Sequence, residues 1–213
     1  MQAKILIADD HPLFRAAMRQ ALSDIVGDNI VEAATYPQAH DVLVSDTDIE
    51  LVFLDLKMPG NEGLTGLSEI RTHFPDVLVV IVSAEEDPEL IRRAIDLGSS
   101  GYIPKSTPLP VIAEAVHQVL EGEQWLPENL SDTLPAYENK AEQSFAKRLA
   151  QLTPHQFNVL KMMADGLLNK QIAYELQISE STVKQHVSAV LRKLEVINRT
   201  QAGVIFKQMM HND

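Results

Sequence analysis

Five short, mostly apolar runs punctuate the first 105 residues: Ile5–Ala8, Ile30–Ala33, Leu51–Leu54, Val77–Val82 and Gly101–Ile103. Their starts lie about 21–26 residues apart, room for a strand, a helix and two turns. Hydrophobicity that is continuous rather than alternating suits strands buried on both faces of a parallel sheet. The segments between them read as helices. Phe14, Ala17, Met18, Ala21, Leu22 and Ile25 recur at spacings of three and four, as do Leu90, Ile91, Ala94, Ile95 and Leu97. Pro88 and Pro110 stand where a helix begins and Gly98 where one ends. The expected architecture is a (βα)5 doubly wound parallel sheet, with a crevice at the carboxyl ends of its strands.

That unit accounts for little more than half of the 213 residues, which leaves room for a second small domain. Residues 122–148 lose the periodic apolar pattern to Gly122, Pro127, Pro135 and scattered polar residues, and read as a linker in which Trp125-Leu126-Pro127 packs back on a domain. From Leu152 the chain reads as all-α. Thr153 caps a helix from Pro154 that stops at Gly166, a short helix covers about Asn169–Leu176, and a turn passes through Ile178-Ser179. A longer helix follows at about Glu180–Leu194, and a last one after Asn198. The division expected is 1–121, a linker 122–148, and 149–213.

Charge divides along the chain. Residues 1–144 hold nine Lys and Arg against 25 Asp and Glu, a net of −16; residues 145–213 hold nine against five, a net of +4. An acidic body with a basic carboxyl-terminal piece is expected when only the second part meets a polyanion. With no cysteine, disulfide scaffolds, Cys-ligated zinc and thiol catalysis are excluded. The longest apolar run is a third of the roughly 18 residues a membrane span needs, and Met1-Gln2-Ala3-Lys4 leads straight into a strand without a signal-peptide layout. The expectation is a soluble, cytoplasmic protein with no membrane partner.

The residues that end the strands point into the crevice. They are Asp9 and Asp10, Asp55, Ser83 and Lys105. Taken singly, an Asp after a strand is ordinarily a cap or turn residue and a lone Lys is ordinarily solvated. Together they ask for another explanation. Three converging carboxylates repel one another unless a cation sits between them, and hard oxygen ligands favour Mg2+. A lysine and a hydroxyl beside that cluster fit a visiting phosphoryl group, with Asp55 the nucleophile that forms an aspartyl-phosphate.

Ala8-Asp9-Asp10-His11-Pro12-Leu13-Phe14-Arg15, Asp55-Leu56-Lys57-Met58-Pro59-Gly60 with Gly63, Ser83-Ala84 and Tyr102-Ile103-Pro104-Lys105 resemble a CheY-like two-component receiver domain over about residues 3–121. The resemblance implies that Asp55 is the phosphoacceptor, that Asp10 ligates Mg2+ directly, Asp9 through water, and Lys57 through its backbone carbonyl. It also implies that Ser83 and Tyr102 form a switch pair and that Lys105 binds the phosphoryl group. Asn61 and Glu62 are variable in the family.

The basic helices admit a protein-binding bundle or a helix-turn-helix, and the order short helix, turn, longer helix favours the latter, with Ser179 as N-cap. Val183, Val187, Val190, Leu191 and Leu194 form an apolar stripe that leaves Lys184, Gln185 and Ser188 on the opposite side, free for a major groove. His186 either meets phosphate or packs at the edge. Leu152-Thr153-Pro154, Asn169-Lys170-Gln171-Ile172-Ala173, Ile178-Ser179-Glu180-Ser181-Thr182-Val183-Lys184 and Asn198-Arg199-Thr200-Gln201-Ala202 resemble the LuxR-type domain of the NarL/FixJ family over about residues 149–210. The resemblance implies base contacts from Lys184, Gln185 and Ser188, backbone contacts from Lys170, Thr182, Arg192 and Arg199, and dimerisation through the last helix, which alternatively packs on its own domain. His155-Gln156-Phe157-Asn158 stands where the family carries Arg-Glu-Arg-Glu, losing charge there.

The combined expectation is a DNA-binding response regulator: a histidine kinase or acyl phosphate phosphorylates Asp55, and the protein pairs as a homodimer on a two-fold-symmetric double-stranded operator. No enzymatic turnover is expected beyond self-phosphorylation from a donor and slow loss of that phosphate. One alternative is a phosphatase with an aspartyl-phosphate intermediate, which would place a second carboxylate two residues after its nucleophile, where this chain has Lys57. Another is a receiver-type transcription factor that switches without phosphate.

Overall fold

The computed structural model describes residues 3–127 and 140–211, and the chain forms two compact units, Met1–Tyr137 and Glu138–Asp213. Pro135 and the other residues read as linker between 128 and 139 lie outside the described residues.

The first unit alternates β1 (Lys4–Ala8), α1 (Pro12–Val26), β2 (Ile30–Ala33), α2 (Tyr36–Ser45), β3 (Ile49–Asp55), α3 (Thr65–His73), β4 (Leu78–Ser83), α4 (Pro88–Asp96), β5 (Gly101–Pro104) and α5 (Leu109–Leu120). All strand pairs are parallel, in the order β2-β1-β3-β4-β5. Successive strand side chains point to opposite faces. Ile5, Ile7, Leu51, Phe53, Val80, Val82 and Ile103 form one core with Met18 and Leu22 of α1 and Ile112, Val116 and Val119 of α5. The alternate residues Leu6, Val52, Leu54, Val79 and Ile81 are equally buried, as are Ala39, Leu43, Leu67, Ile70 and Ile91 on α2, α3 and α4. Two buried faces are why the runs are continuous. Trp125 extends β5 by an isolated parallel bridge to Gly101, and its carbonyl accepts Tyr102 N–H at 3.1 Å.

The second unit is helical: α6 (Lys140–Leu149), α7 (Pro154–Ala164), α8 (Asn169–Glu175), α9 (Glu180–Leu194) and α10 (Arg199–Met210). Helix α6 occupies a stretch read above as linker. Phe145, Ala146 and Leu149 lie on one face at helical spacing and are buried, while Lys147 and Arg148 suit the negative end of the helix dipole. Thr153 and Gln156 form a capping box at α7, and Ser179 Oγ caps α9 by accepting Thr182 N–H at 3.1 Å. Phe157 meets Phe206 edge to face at 5.9 Å. Gly203 lets α10 approach α7, since a Cβ there would stand 3.2 Å from Ala164 Cα. Among the described residues no helix is long and apolar enough to cross a membrane.

Candidate functional site

The strand order reverses between β1 and β3, which opens a crevice at their carboxyl ends. Asp9 and Asp10 leave β1, Asp55 ends β3, Ser83 ends β4 and Lys105 follows β5, so the topology gathers all five. Asp9 and Asp55 are each 2% exposed and Ser83 is fully buried. Lys105 Nζ lies 2.7 Å from Asp9 Oδ2 and donates to Asp55 Oδ2 at 2.9 Å. Burial pushes the Lys105 ammonium down, and the hydrogen bonds and charges of Asp55 and Asp9 outweigh it, so its pKa is raised overall. The Phe14 ring lies beneath the same ammonium at 5.2 Å.

Asp9 also acts as the turn residue that a lone Asp would be, its Oδ1 accepting His11 N–H at 2.7 Å. Arg15 fixes the same corner, donating to Asp9 O at 2.6 Å and to Glu32 Oε2 at 3.1 Å. Asp9, Asp10, His11 and Asp55 each present a ligand atom, and these four atoms lie within 4.8 Å of one another. Asp9 Oδ2 and Asp10 Oδ1 are buried without a well-aligned hydrogen bond; Lys105 Nζ stands 2.7 Å from the first and His11 Nδ1 2.7 Å from the second. Buried carboxylate oxygens left in that condition fit a divalent cation with oxygen ligands.

Three residues of the site were not singled out by their chemistry in the sequence. His11 reaches into the ligand set. Asn61 Nδ2 donates to Asp55 O at 3.0 Å and Leu56 O at 3.3 Å while its Oδ1 accepts Gly66 N–H at 3.0 Å, which closes the β3–α3 loop. Glu85 holds Lys57 Nζ at 2.5 Å, and its carbonyl accepts the Tyr102 phenol at 2.8 Å. Lys57 therefore offers the crevice only its main chain, whose N–H donates to Asp55 Oδ1 at 3.1 Å. Burial pushes the Tyr102 phenol above its usual pKa; a hydrogen bond with Ser83 pulls the other way and the charges of Glu85, Asp87 and Asp55 add to the rise. The ring is turned fully inward.

In the helical unit, Lys184, Gln185, Ser188 and Arg192 form the exposed face of α9, opposite buried Val183, Val190 and Leu194. Lys184 pairs with Glu180 at 3.2 Å, and Lys170 is exposed on α8. Thr182 is half-buried, its hydroxyl 2.7 Å from Ser179 Oγ. Arg199 is turned inward instead: its guanidinium donates to Leu167 O at 2.5 Å and Asn169 Oδ1 at 3.4 Å, satisfying a carbonyl in the α7–α8 turn. His186 stacks on His155 with ring centres 6.1 Å apart.

Comparison with known proteins identifies the family of each unit. Residues 5–117 match the response regulator receiver domain, and residues 150–206 match the bacterial regulatory proteins of the luxR family. The chain is 46% identical over 204 residues to a glycerol metabolism activator of Pseudomonas putida, covering 93% of this chain and 92% of that one. It is 35% identical over 202 residues to the nitrate/nitrite response regulator protein NarL of Escherichia coli K12, covering 95% and 94%. Among solved structures, an RcsB–DNA complex shares 25% identity at a TM-score of 0.58, and a structure of two RcsB dimers on two parallel DNAs shares 25% at 0.60; each covers 97% of this chain and 98% of that one. The chain thus belongs to the NarL/FixJ family of DNA-binding two-component response regulators, a receiver domain followed by a LuxR-type helix-turn-helix domain.

Proposed function

We propose that Asp55 accepts a phosphoryl group in a Mg2+-dependent reaction, from a histidine kinase or a small acyl phosphate, and that this controls sequence-specific DNA binding by α9. The observation that carries the reading is the convergence of Asp9, Asp10, Asp55 and Lys105 where the strand order reverses. An Asp55 carboxylate oxygen attacks phosphorus. The P–N bond to the donor imidazole, or the P–O bond to an acyl carboxylate, breaks with its electron pair leaving on the donor. Asp10, Asp55, the Lys57 carbonyl and, through water, Asp9 hold the Mg2+, which when bound supplies charge neutralisation for the phosphoryl oxygens. Lys105 follows the negative charge from the carboxylate to a phosphoryl oxygen, and Ser83 contributes its hydroxyl. The inward Tyr102 ring then stabilises the rearranged β4–α4 loop, which changes the surface formed by α4, β5 and α5 and pairs two chains.

On DNA, Lys184, Gln185 and Ser188 read base edges from the major groove, Gln pairing with adenine and Lys with guanine, each worth ~1–3 kcal/mol of discrimination. Lys170, Thr182 and Arg192 contact the phosphate backbone. Arg199, bonded within its own unit, has no such contact in this reading. A dimer places two copies of α9 on a two-fold-symmetric operator in the cytoplasm. Intact-mass measurement after incubation with a small acyl phosphate tests the chemistry. One phosphoryl group is gained with Mg2+, none in a chelator and none in Asp55→Ala; equal labelling of Asp55→Ala refutes the assignment.

A further inference from the structure

The crevice contains a nitrogen where an all-oxygen Mg2+ site would need none. His11 Nδ1 lies 3.0 Å from Asp9 Oδ1, 2.7 Å from Asp10 Oδ1 and 3.9 Å from Asp55 Oδ2. Donor atoms adjacent on an octahedron with bonds of ~2.1 Å lie ~3.0 Å apart, and opposite ones ~4.2 Å. Relative to His11, Asp10 thus stands near an adjacent-vertex distance and Asp55 near the opposite one, while Asp9, which holds the ion through water, stays within hydrogen-bond distance of the imidazole. Lys105 Nζ lies 3.3 Å from the same nitrogen and within 2.9 Å of Asp9 and Asp55, so positive charge already stands beside three members of the set. The imidazole is 63% exposed, and in the neutral tautomer that carries its proton on Nε2 the Nδ1 lone pair is available to a metal.

The geometry points to His11 as a fourth metal-ligating side chain that sets which divalent ion the receiver prefers. The inference rests on the metal-binding reading above and deepens it. Carboxylate, carbonyl and water ligands suit Mg2+, whereas imidazole favours Ni2+, Co2+ and Zn2+. A receiver with this nitrogen in place therefore holds first-row transition ions more tightly, relative to Mg2+, than the carboxylates alone would.

Titration of the full-length chain with Ni2+ and with Mg2+ tests this, comparing wild type with His11→Ala and His11→Gln. Competition by excess Mg2+ shows whether the two ions share one site. The expected result is a fall in the ratio of Ni2+ to Mg2+ affinity of about tenfold or more in both variants, on the scale seen when ligand support is removed. Mn2+ bound to wild type should also show magnetic coupling to an imidazole nitrogen that both variants lose. An unchanged ratio with Mg2+ binding intact overturns the inference and leaves the phosphoacceptor reading standing. An apparent Ni2+ affinity that does not change when the carboxylate site is saturated with Mg2+ also overturns it, since the two ions then occupy different sites. If wild type binds neither ion and takes no phosphate from an acyl donor, the underlying reading fails and the inference with it.

Discussion

Lys105→Met isolates the electrostatic arrangement of the crevice. Lys105 is 17% exposed and neutralises two carboxylates that are each 2% exposed, at 2.7 and 2.9 Å. Removing one member of a buried ion pair costs ~3–5 kcal/mol, because the partner is left charged and unsolvated. Here the lysine tip keeps some water and His11 remains 3.0 Å from Asp9. The expected loss in a chelator is therefore the lower part of that range or just beneath it, ~2–3 kcal/mol. For a unit of this size that lowers the melting midpoint by about 6–15 °C. Trp125 is the chain's one tryptophan and is bridged to Gly101, so its fluorescence reports unfolding of the receiver unit itself. Added Mg2+ stabilises by RT ln(1 + [M]/Kd), ~2.7 kcal/mol at a hundred times Kd. No ammonium has to leave the carboxylates in the variant, so Mg2+ raises its midpoint more than that of wild type. A Lys105→Met protein within about 0.5 kcal/mol of wild type in chelator, the range of an ordinary surface change, refutes the reasoning.

Gly60 follows Met58-Pro59 with φ of +84°, and a Cβ there would stand 2.6 Å from Pro37 Cδ. Gly60→Ala should cost ~2 kcal/mol or more in urea unfolding, against ~1 kcal/mol for Gly122→Ala, which is left-handed but open; equal costs contradict the clash. Tyr36, Tyr102 and Lys105 all have raised pKa values in the folded chain. Since the folded state holds these protons more tightly, their contribution is complete below about pH 10 and is lost as pH rises beyond it; a melting midpoint that stays flat well above that pH opposes this. Arg192→Ala should reduce the dependence of log affinity on log salt by about one unit of slope. Arg199→Ala should instead lower the stability of the helical unit by ~1–3 kcal/mol, because it orphans Leu167 O; a salt-slope change without a stability loss reverses that distinction.

The sheet and its crevice were legible because a parallel sheet covered on both faces forces each strand to be a continuous apolar run, and the first polar residue after the run falls at the rim. Asp9, Asp55, Ser83 and Lys105 could be located by that rule alone. The helix-turn-helix was equally open, since Ser179 as a cap, the turn through Ile178-Ser179 and the Val183–Leu194 stripe are local signals, whereas the left-handed Gln177, with φ of +53°, shows only in the structure. What stayed hidden depends on where a side chain goes after the backbone has folded. Asn61 turns inward to brace the loop behind Asp55, Glu85 takes Lys57 away from the crevice, and Arg199 serves a carbonyl of its own unit instead of facing outward. Helix α6 was masked by its surroundings: a short amphipathic segment after Pro127 and Pro135, among polar residues, resembles a loop until Phe145 and Leu149 find a surface to bury against.

The most direct measurement is a DNA-binding titration of the full chain at several salt concentrations, with and without acyl phosphate and Mg2+, for wild type and Asp55→Ala. Phosphorylated wild type should bind its operator more tightly at every salt concentration, while Asp55→Ala gains nothing from the donor. An equal gain in both proteins, or none in a wild type shown to carry the phosphoryl group, contradicts the link between the crevice and α9.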